Sequence, residues 1–253
     1  MSWPEAVAFD EKHNELFVLE TNKYSRIRVF DLHGKLVRMF LHENKLQVHI
    51  RTMHVNSERS LLFIACNFLR VHLVYALHTV DGSIVTTIGD KGSSGFGKLH
   101  SPVGVVMHNV TGDIYVCDCW NNCVQVFDER GLYLRRFEEL TNPRYLTVDP
   151  NADRLYVVHG FFECLVTVFS TAGTFLFLID FKKLPGFIDT LLLPAEIIVH
   201  PLTSEVIFVD EHNDHLQVFD HNGTHLRSYA MELQRPVTRE SSFLRGICAH
   251  STL

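Results

Sequence analysis

Short apolar runs and polar turns alternate along the whole chain in an order that recurs five times. Each copy has an apolar run, a polar turn, an alternating strand that often ends in Val-Phe-Asp, then two residues, a glycine and a second alternating strand. The order is clearest in VCDCWNNCVQVFDERGLYLRRF (116–137), FVDEHNDHLQVFDHNGTHLRSY (208–229) and FVLETNKYSRIRVFDLHGKLVRMF (17–40). Weaker copies are YVVHGFFECLVTVFSTAGTFLFLI (156–179) and FIACNFLRVHLVYALHTVDGSIVTTI (63–88). The repetition predicts several copies of one supersecondary unit.

A glycine marks the same turn in every copy. The five glycines are spaced by 42 to 50 residues and are Gly34, Gly82, Gly131, Gly173 and Gly223. Glycine adopts the positive φ angles of a tight hairpin without steric cost. Each of these glycines therefore predicts the turn between the last two strands of its unit.

A further apolar strand precedes these copies and usually begins at a proline. It reads PEAVAFD from Pro4, PVGVVMH from Pro102, PRYLTVD from Pro143 and PAEIIVH from Pro194. Proline at the first position of a strand removes no hydrogen bond from the ladder. Each unit therefore has four short strands, a to d, and in the first unit we expect them at residues 6–9, 16–19, 26–30 and 35–40.

Four-stranded antiparallel units that repeat in this way predict an all-β fold, a β-propeller with five complete blades and a partial sixth. The chain is expected to be one domain with units at approximately 3–46, 47–97, 98–139, 140–188 and 189–234, and a partial unit at 239–253. In the partial unit, FLRGICAH (243–250) has the pattern of strand a. A lone inner strand leaves an unpaired edge, so we expect an open or imperfectly closed ring that could associate with other chains.

The third unit, SPVGVVMHNVTGDIYVCDCWNNCVQVFDERG (101–131), resembles an NHL repeat. The fifth unit matches the same pattern well, the first and fourth moderately and the second poorly. The resemblance implies a propeller, usually six-bladed, that serves as a binding platform for proteins or RNA. The family pattern commonly has an arginine before strand c, which only Arg26 keeps here. The residues that replace it are Cys123, Leu165 and His215.

Composition and charge narrow the expected location and partners. The 253 residues are 46% hydrophobic and 21% charged, with a net charge of −6. No apolar run reaches the roughly 18 residues that a membrane span needs, and the N-terminus lacks the pattern of a signal peptide. We therefore expect a cytoplasmic protein without a membrane segment. The negative charge argues against general coating of nucleic acid, although a local basic patch remains open.

The cysteines of the third unit raise the question of a metal site. Cys117, Cys119 and Cys123 lie within seven residues, but a structural zinc needs four converging ligands and no fourth accompanies them. Cys117 aligns with apolar residues at the end of strand b, Cys119 falls in the b–c turn and Cys123 begins strand c. Together with the missing signal peptide, this predicts free thiols that belong to the repeat, with no metal and no cofactor.

Catalysis in the central channel is the alternative to a binding function. His212 and His215 could contribute to a metal site in a lyase, but no other unit has a histidine at the same place. A calcium-dependent hydrolase would need oxygen ligands from several blades, and only Glu5 and Glu196 are expected at equivalent starts of strand a. A metal-dependent lyase or hydrolase is therefore kept only as the weaker alternative.

The b–c turns, which all lie on one face of a propeller, carry an unusual set of rings. In chain order these are Tyr24, Phe68, Trp120, Phe161 with Phe162, and His212. Aromatic side chains are enriched in binding hot spots, whereas turns are normally polar. We expect further cations on or near this face, namely Lys23, Arg70, Arg144 and Arg245.

The sequence therefore favours a non-catalytic platform that binds a protein through this loop face. Single-stranded RNA, stacked on the same rings, remains the alternative partner. The negative net charge favours a protein.

Overall fold

The computed structural model describes nine ranges of the chain: residues 3–21, 25–40, 50–68, 71–89, 95–149, 151–160, 165–181, 194–210 and 215–230. Within them, the chain forms five antiparallel sheets of four strands each. Within the described ranges, no helix has the length and apolar character needed to cross a membrane.

Each blade takes four consecutive strands. Blade 1 contains β1 (Trp3–Asp10), β2 (Glu15–Thr21), β3 (Ser25–Asp31) and β4 (Leu36–Phe40). Blade 2 contains β5 (Ile50–Asn56), β6 (Leu61–Phe68), β7 (Val71–His78) and β8 (Ile84–Ile88). Blade 3 contains β9 (Pro102–Met107), β10 (Ile114–Asp118), β11 (Cys123–Phe127) and β12 (Tyr133–Phe137). Blade 4 contains β13 (Tyr145–Asp149), β14 (Arg154–His159), β15 (Leu165–Ser170) and β16 (Phe175–Asp180). Blade 5 contains β17 (Pro194–Val199), β18 (Val206–Asp210), β19 (His215–Phe219) and β20 (His225–Ala230).

The blades follow one another around a central channel. The first strand of every blade faces this channel, and the inner strands of consecutive blades pack together, β1 with β5, β5 with β9, β9 with β13 and β13 with β17. The prediction of an all-β propeller with five four-stranded blades is therefore confirmed. The partial sixth unit at 239–253 lies outside the described residues, and the division of the chain at the expected unit limits stays a prediction.

Most of the apolar core lies between adjacent blades. Four clusters of buried side chains join blade 1 to 2, 2 to 3, 3 to 4 and 4 to 5. Large rings fill them. In the last cluster Phe181, Phe208 and Phe219 contact one another edge to face, with centroids 5.0 to 5.5 Å apart. Each blade is therefore stabilised mainly by its neighbours in the ring.

The two ends of the ring differ from this pattern. No inner-strand packing of comparable extent joins β17 to β1 in the part of the chain that the structure describes. Leu16 and Phe30 of blade 1, and Ile207 and Leu216 of blade 5, are only half-buried. Residues in the register of Leu216 are fully buried in the other blades: Ile27, Val74, Val124 and Val166. Among the described residues, the edges of blades 1 and 5 that carry these half-buried side chains, here called the slot, thus lack the packing that joins the other blades.

The last two strands of each blade are joined by the expected glycine turn. Gly82 has a φ of +69° and Gly34 a φ of +76°, and the ladder shifts register beside each turn. Gly82 also lies against the neighbouring blade, because a Cβ placed there would be 2.6 Å from Cδ1 of Phe40. The glycine therefore serves both the turn and the packing between blades.

A pair of alanine substitutions separates these two roles. Gly34→Ala should lower the free energy of unfolding by about 1 kcal/mol, because open space surrounds the position and only the positive φ is unfavourable. Gly82→Ala should cost about 2 kcal/mol, since the buried Phe40 ring must also move. Urea denaturation of both variants would measure the difference, and equal losses would show that the Phe40 contact is unimportant.

Candidate functional site

The structure describes part of the predicted loop face. Trp120 and Arg144 are described in full, and Phe68 is described in its backbone, where it ends β6 opposite Val71. The other candidates lie outside the described residues: Lys23, Tyr24, Arg70, Phe161, Phe162, His212 and Arg245. An aromatic residue in every b–c turn around the ring thus stays a prediction. The described part of the loop face belongs to blades 2, 3 and 4.

The turn that carries Trp120 is fixed by a buried carboxylate. A short 3₁₀ turn, Cys119–Asn121, joins β10 to β11 and ends at Asn122 in the left-handed conformation. Asp118, which is fully buried, accepts hydrogen bonds from the backbone N–H of His100 (2.6 Å), from Asn121 Nδ2 (2.7 Å) and from Gln125 Nε2 (2.7 Å). Burial raises the pKa of this carboxyl, while the three hydrogen bonds act in the opposite direction. The network fixes the turn to strand β11 and to the segment before β9.

Trp120 projects from this fixed turn into solvent. Its backbone N–H donates to the carbonyl of His100 (3.1 Å), and 67% of the residue is exposed. The indole meets the His100 ring edge to face at 4.8 Å, and His100 meets His72 in the same way at 5.3 Å. The indole thus lies outside the core between blades, on a row of rings from blades 2 and 3.

Arg144 lies beside the same turn, on the side of blade 4. Its backbone N–H donates to Val158 O (2.9 Å) immediately before β13. With the Asn142 amide turned so that its oxygen faces Arg144, the guanidinium donates to that oxygen from Nε (2.8 Å) and Nη2 (2.9 Å). Asn142 is buried, contacts the sulfur of Cys119 and donates its backbone N–H to Asn122 Oδ1 (2.9 Å). The structure therefore brings the predicted residues Trp120 and Arg144 to the same end of the molecule.

Sequence reasoning missed three members of this cluster, namely Arg51, His72 and His100. Arg51 lies in the bulge between Ile50 and Thr52 of β5, and its Nε donates to Asn67 Oδ1 (3.3 Å). Asn67 Nδ2 donates to Ser101 Oγ (2.9 Å), beside the Trp120 turn. The sequence does contain a signal for Arg51. IRTMHVN (50–56) aligns with PRYLTVD (143–149), so Arg51 occupies the position in its unit that Arg144 occupies in the fourth unit. It was overlooked because the second unit has no proline at the start of strand a.

The cysteines behave as parts of the repeat. The four described cysteines, Cys66, Cys117, Cys119 and Cys123, are free and buried. Cys117 ends the apolar run of β10 and Cys123 begins β11, as predicted. Burial raises the pKa of both Cys66 and Cys123 to about 12, so these thiols are protonated at neutral pH. They are poor nucleophiles and poor metal ligands in this state.

One cluster among the described residues has the composition of a cation site. It contains Asp10, His13 and Glu15 at the a–b turn of blade 1. Each is already engaged, since His13 Nδ1 contacts Asp10 Oδ2 (2.8 Å) and Arg38 Nη1 donates to Glu15 Oε1 (2.6 Å). Arg38 also donates to the carbonyl of Thr79 (2.7 Å). A cation would have to displace Arg38 from this half-buried ion pair, so the cluster is better explained as structural.

The central channel encloses about 310 Å³ and is lined by the inner strands of all five blades. Its ionisable side chains in the middle of the blades are His54 and Glu196, with Glu11 and Glu58 near one end. Burial lowers the pKa of His54 to about 4, so this imidazole is neutral at pH 7. The described channel is therefore lined by polar and apolar side chains alike and carries few charged groups.

The predicted equivalence of Glu5 and Glu196 is wrong. Both strands bulge after their first proline, but Glu5 is the bulged residue, between Pro4 and Ala6. Glu196 pairs with Val209 as Ala6 pairs with Leu19, one position further along the strand. The physical reason is that both strands carry the same bulge, so only residues equally far from the proline share a register position. Glu5 lies one residue after Pro4, whereas Glu196 lies two residues after Pro194. The two carboxylates are not matching ligands.

Comparison with known proteins agrees with this architecture. Residues 99–127, which include β9, β10, β11 and Trp120, match the family model described as NHL repeat. A chain from the crystal structure of a nidogen/laminin complex has the same fold, with a TM-score of 0.66 and 14% sequence identity. The match covers 90% of this chain and 80% of that chain. No curated protein sequence matches the chain.

Proposed function

We propose that this NHL-repeat propeller is a non-catalytic platform that binds a protein partner through the loop face around Trp120. The observation that carries the proposal is the exposure of a large ring on a rigid turn. A tryptophan left in solvent gains nothing for the fold, whereas in an interface it buries a large apolar area. Because the turn is already ordered by Asp118, little conformational entropy is lost when a partner covers the indole.

The channel gives less support to catalysis. A metal-dependent lyase or hydrolase needs several ionisable groups that converge on one point. Among the described channel residues, His54 is neutral at pH 7, and Glu196 and Glu5 do not share a register position. The loop face offers an exposed ring and cations instead, which is the composition of an interface.

A protein is favoured over RNA as the partner. Binding of nucleic acid draws most of its affinity from many phosphate contacts, which a protein of net charge −6 is poorly suited to make. The propeller with the same fold was crystallised in a nidogen/laminin complex. RNA stacked on Trp120 is the second candidate, because the indole is exposed and lies on two further rings.

Substitution of the indole tests the platform. Trp120→Ala should change the free energy of unfolding by about 0.5 kcal/mol or less, since the ring lies outside the core. It should weaken binding of the partner by at least about 2 kcal/mol, or roughly 30-fold, as expected for a central aromatic anchor. Affinity purification from lysate followed by titration of the purified partner would measure both effects.

A matched control is Phe175→Ala, which removes a ring of similar exposure (60%) from the outer strand β16. This variant should bind normally. Retention of full affinity by Trp120→Ala would refute the loop face as the binding surface. Nuclease treatment of the lysate distinguishes a protein partner from RNA. If the partner is no longer recovered after the treatment, RNA binding is favoured.

A further inference from the structure

The arginines of the loop face differ from most others in the molecule. Among the described residues, seven arginines contact carboxylates: Arg26 and Arg28 with Glu20, Arg38 with Glu15, Arg59 with Glu129, Arg135 with Asp113, Arg136 with Glu138 and Arg227 with Glu205. Arg51 and Arg144 instead donate to the amide oxygens of Asn67 and Asn142. Arg154 likewise contacts a carbonyl and an amide rather than a carboxylate, so what distinguishes Arg51 and Arg144 is their shared place beside the Trp120 turn.

The two arginines occupy the same place in alternate blades. Arg51 is the bulged residue at the start of β5, and Arg144 directly precedes β13. Blade 3, with Cys119 and Trp120, lies between them. Burial raises the pKa of the Cys119 thiol, and the positive charges of Arg144 and Arg51 both oppose this rise. The two guanidinium groups therefore flank the turn that presents the indole.

Their amide contacts orient these guanidinium groups without satisfying them. Arg51 uses only Nε with Asn67, so its two terminal nitrogens are available to a ligand. Arg144 uses Nε and Nη2 with Asn142, which leaves Nη1. The two free nitrogens of Arg51 match the two oxygens of a carboxylate, whereas Arg144 can add a single charge-assisted bond from Nη1. Such charge-assisted bonds are the stronger class of hydrogen bond.

We propose that the partner presents an acidic peptide segment, with a carboxylate bound by Arg51 or Arg144 and a neighbouring apolar side chain on Trp120. This inference rests on the proposed function and names the chemistry of the partner. Two arginines around one indole fit a short motif of one or two acidic residues beside a hydrophobic one. Among the described residues of this face, two arginines are too few to follow a phosphate backbone, which would need a longer track of cations.

Peptide selection tests this chemistry and does not require an identified partner. The purified protein would be used to select from a random peptide library displayed on phage, and the selected peptides would be titrated by fluorescence anisotropy. We expect peptides rich in Asp or Glu next to an aromatic or aliphatic residue. Arg51→Gln and Arg144→Gln should each weaken binding at least 10-fold, as should Asn or Gln in place of the peptide's acidic residues.

The control variant is Arg130→Gln, because Arg130 is exposed on the c–d turn of blade 3, at the opposite end from Trp120. It should bind as the unsubstituted protein does, and thermal melts should show that all three variants are folded. Selected peptides that lack acidic residues and ignore both arginines, but still need Trp120, would overturn this inference and leave the platform intact.

Other outcomes would overturn the inference together with its premise. Failure to select any peptide, or selection of peptides that ignore Trp120 as well as the arginines, would contradict both proposals. If no acidic peptide is selected but a single-stranded oligouridine probe binds and its binding requires both arginines, the site binds RNA instead of an acidic peptide. Together, the outcomes distinguish failure of the acidic motif in the partner from failure of the loop face as a binding surface.

Discussion

Acidification from pH 7.5 to pH 5 should lower the free energy of unfolding by about 2 kcal/mol through His159 alone, and by about 3 kcal/mol at pH 4. His159 is 7% exposed, and its Nε2 contacts Thr167 Oγ1 at 2.7 Å. Burial lowers its pKa from 6.5 to about 4. The His159 imidazole is therefore protonated near pH 6.5 in the unfolded chain but only near pH 4 in the folded chain. Stability is complete above pH 6.5 and is lost as the pH falls towards 4.

Chemical denaturation at a series of pH values would measure this loss. His54, whose pKa is also lowered to about 4, adds to it in the same direction. In His159→Gln the decline between pH 6.5 and 5 should be smaller by about 2 kcal/mol, because the titrating ring is gone. An unchanged pH dependence in this variant would show that His159 becomes protonated in the folded state without penalty.

Removal of residues 239–253 should cost about 4 kcal/mol if, as the sequence predicts, this segment supplies the inner strand of a sixth unit. The slot between blades 5 and 1 offers Leu16, Phe30, Ile207 and Leu216 in a half-buried state. Completing the burial of each would contribute about 1 kcal/mol. The shortened chain should also self-associate, since the slot would then be an exposed apolar surface.

The sequence of this segment also matches a feature of the described inner strands. The inner strand of each described blade ends at a residue whose side chain accepts hydrogen bonds from the following turn. In blades 3 and 5 that residue is a histidine, with His108 Nδ1 accepting from Val110 N and His200 Nδ1 accepting from Thr203 N. FLRGICAH ends in His250 at the matching position.

Denaturation and sedimentation of the shortened chain would test this prediction. A matched control keeps the length and composition of the chain but scrambles residues 243–250, and it should behave like the deletion. If the deletion leaves both stability and association state unchanged, the segment does not fill the slot.

The fold could be predicted because its signal is repeated. Any one of the glycine turns would be weak evidence, but five at similar spacing specify the hairpins, and the strands of blade 1 begin and end within three residues of the expected limits. The burial of Cys117 followed from the same alignment, because its counterparts are apolar. Alignment of the repeats thus makes the limits of the strands and the burial of individual residues predictable.

The site was harder to predict because it depends on contacts between blades. Arg51 and Trp120 are distant in sequence and are linked through Asn67 and Ser101, whose side chains carry no motif. The error at Glu5 had a different cause, since the two strands bulge alike but Glu5 and Glu196 lie one and two residues after their prolines. The loop face followed from the order of the strands, whereas the cluster on it emerged only from the packing of blades 2, 3 and 4.

The position of the Trp120 turn along the arc of blades affects how the site survives thermal opening. Stability in a ring of this kind is close to a sum of contacts between neighbours, so opening begins at blades with one packed neighbour. Among the described blades these are 1 and 5, whereas blade 3 has two blades on either side. Fraying at the slot can therefore release an end blade while Trp120, Arg51 and Arg144 keep their arrangement. Opening at the slot is therefore compatible with an intact arrangement of the proposed binding residues in blade 3 and its neighbours.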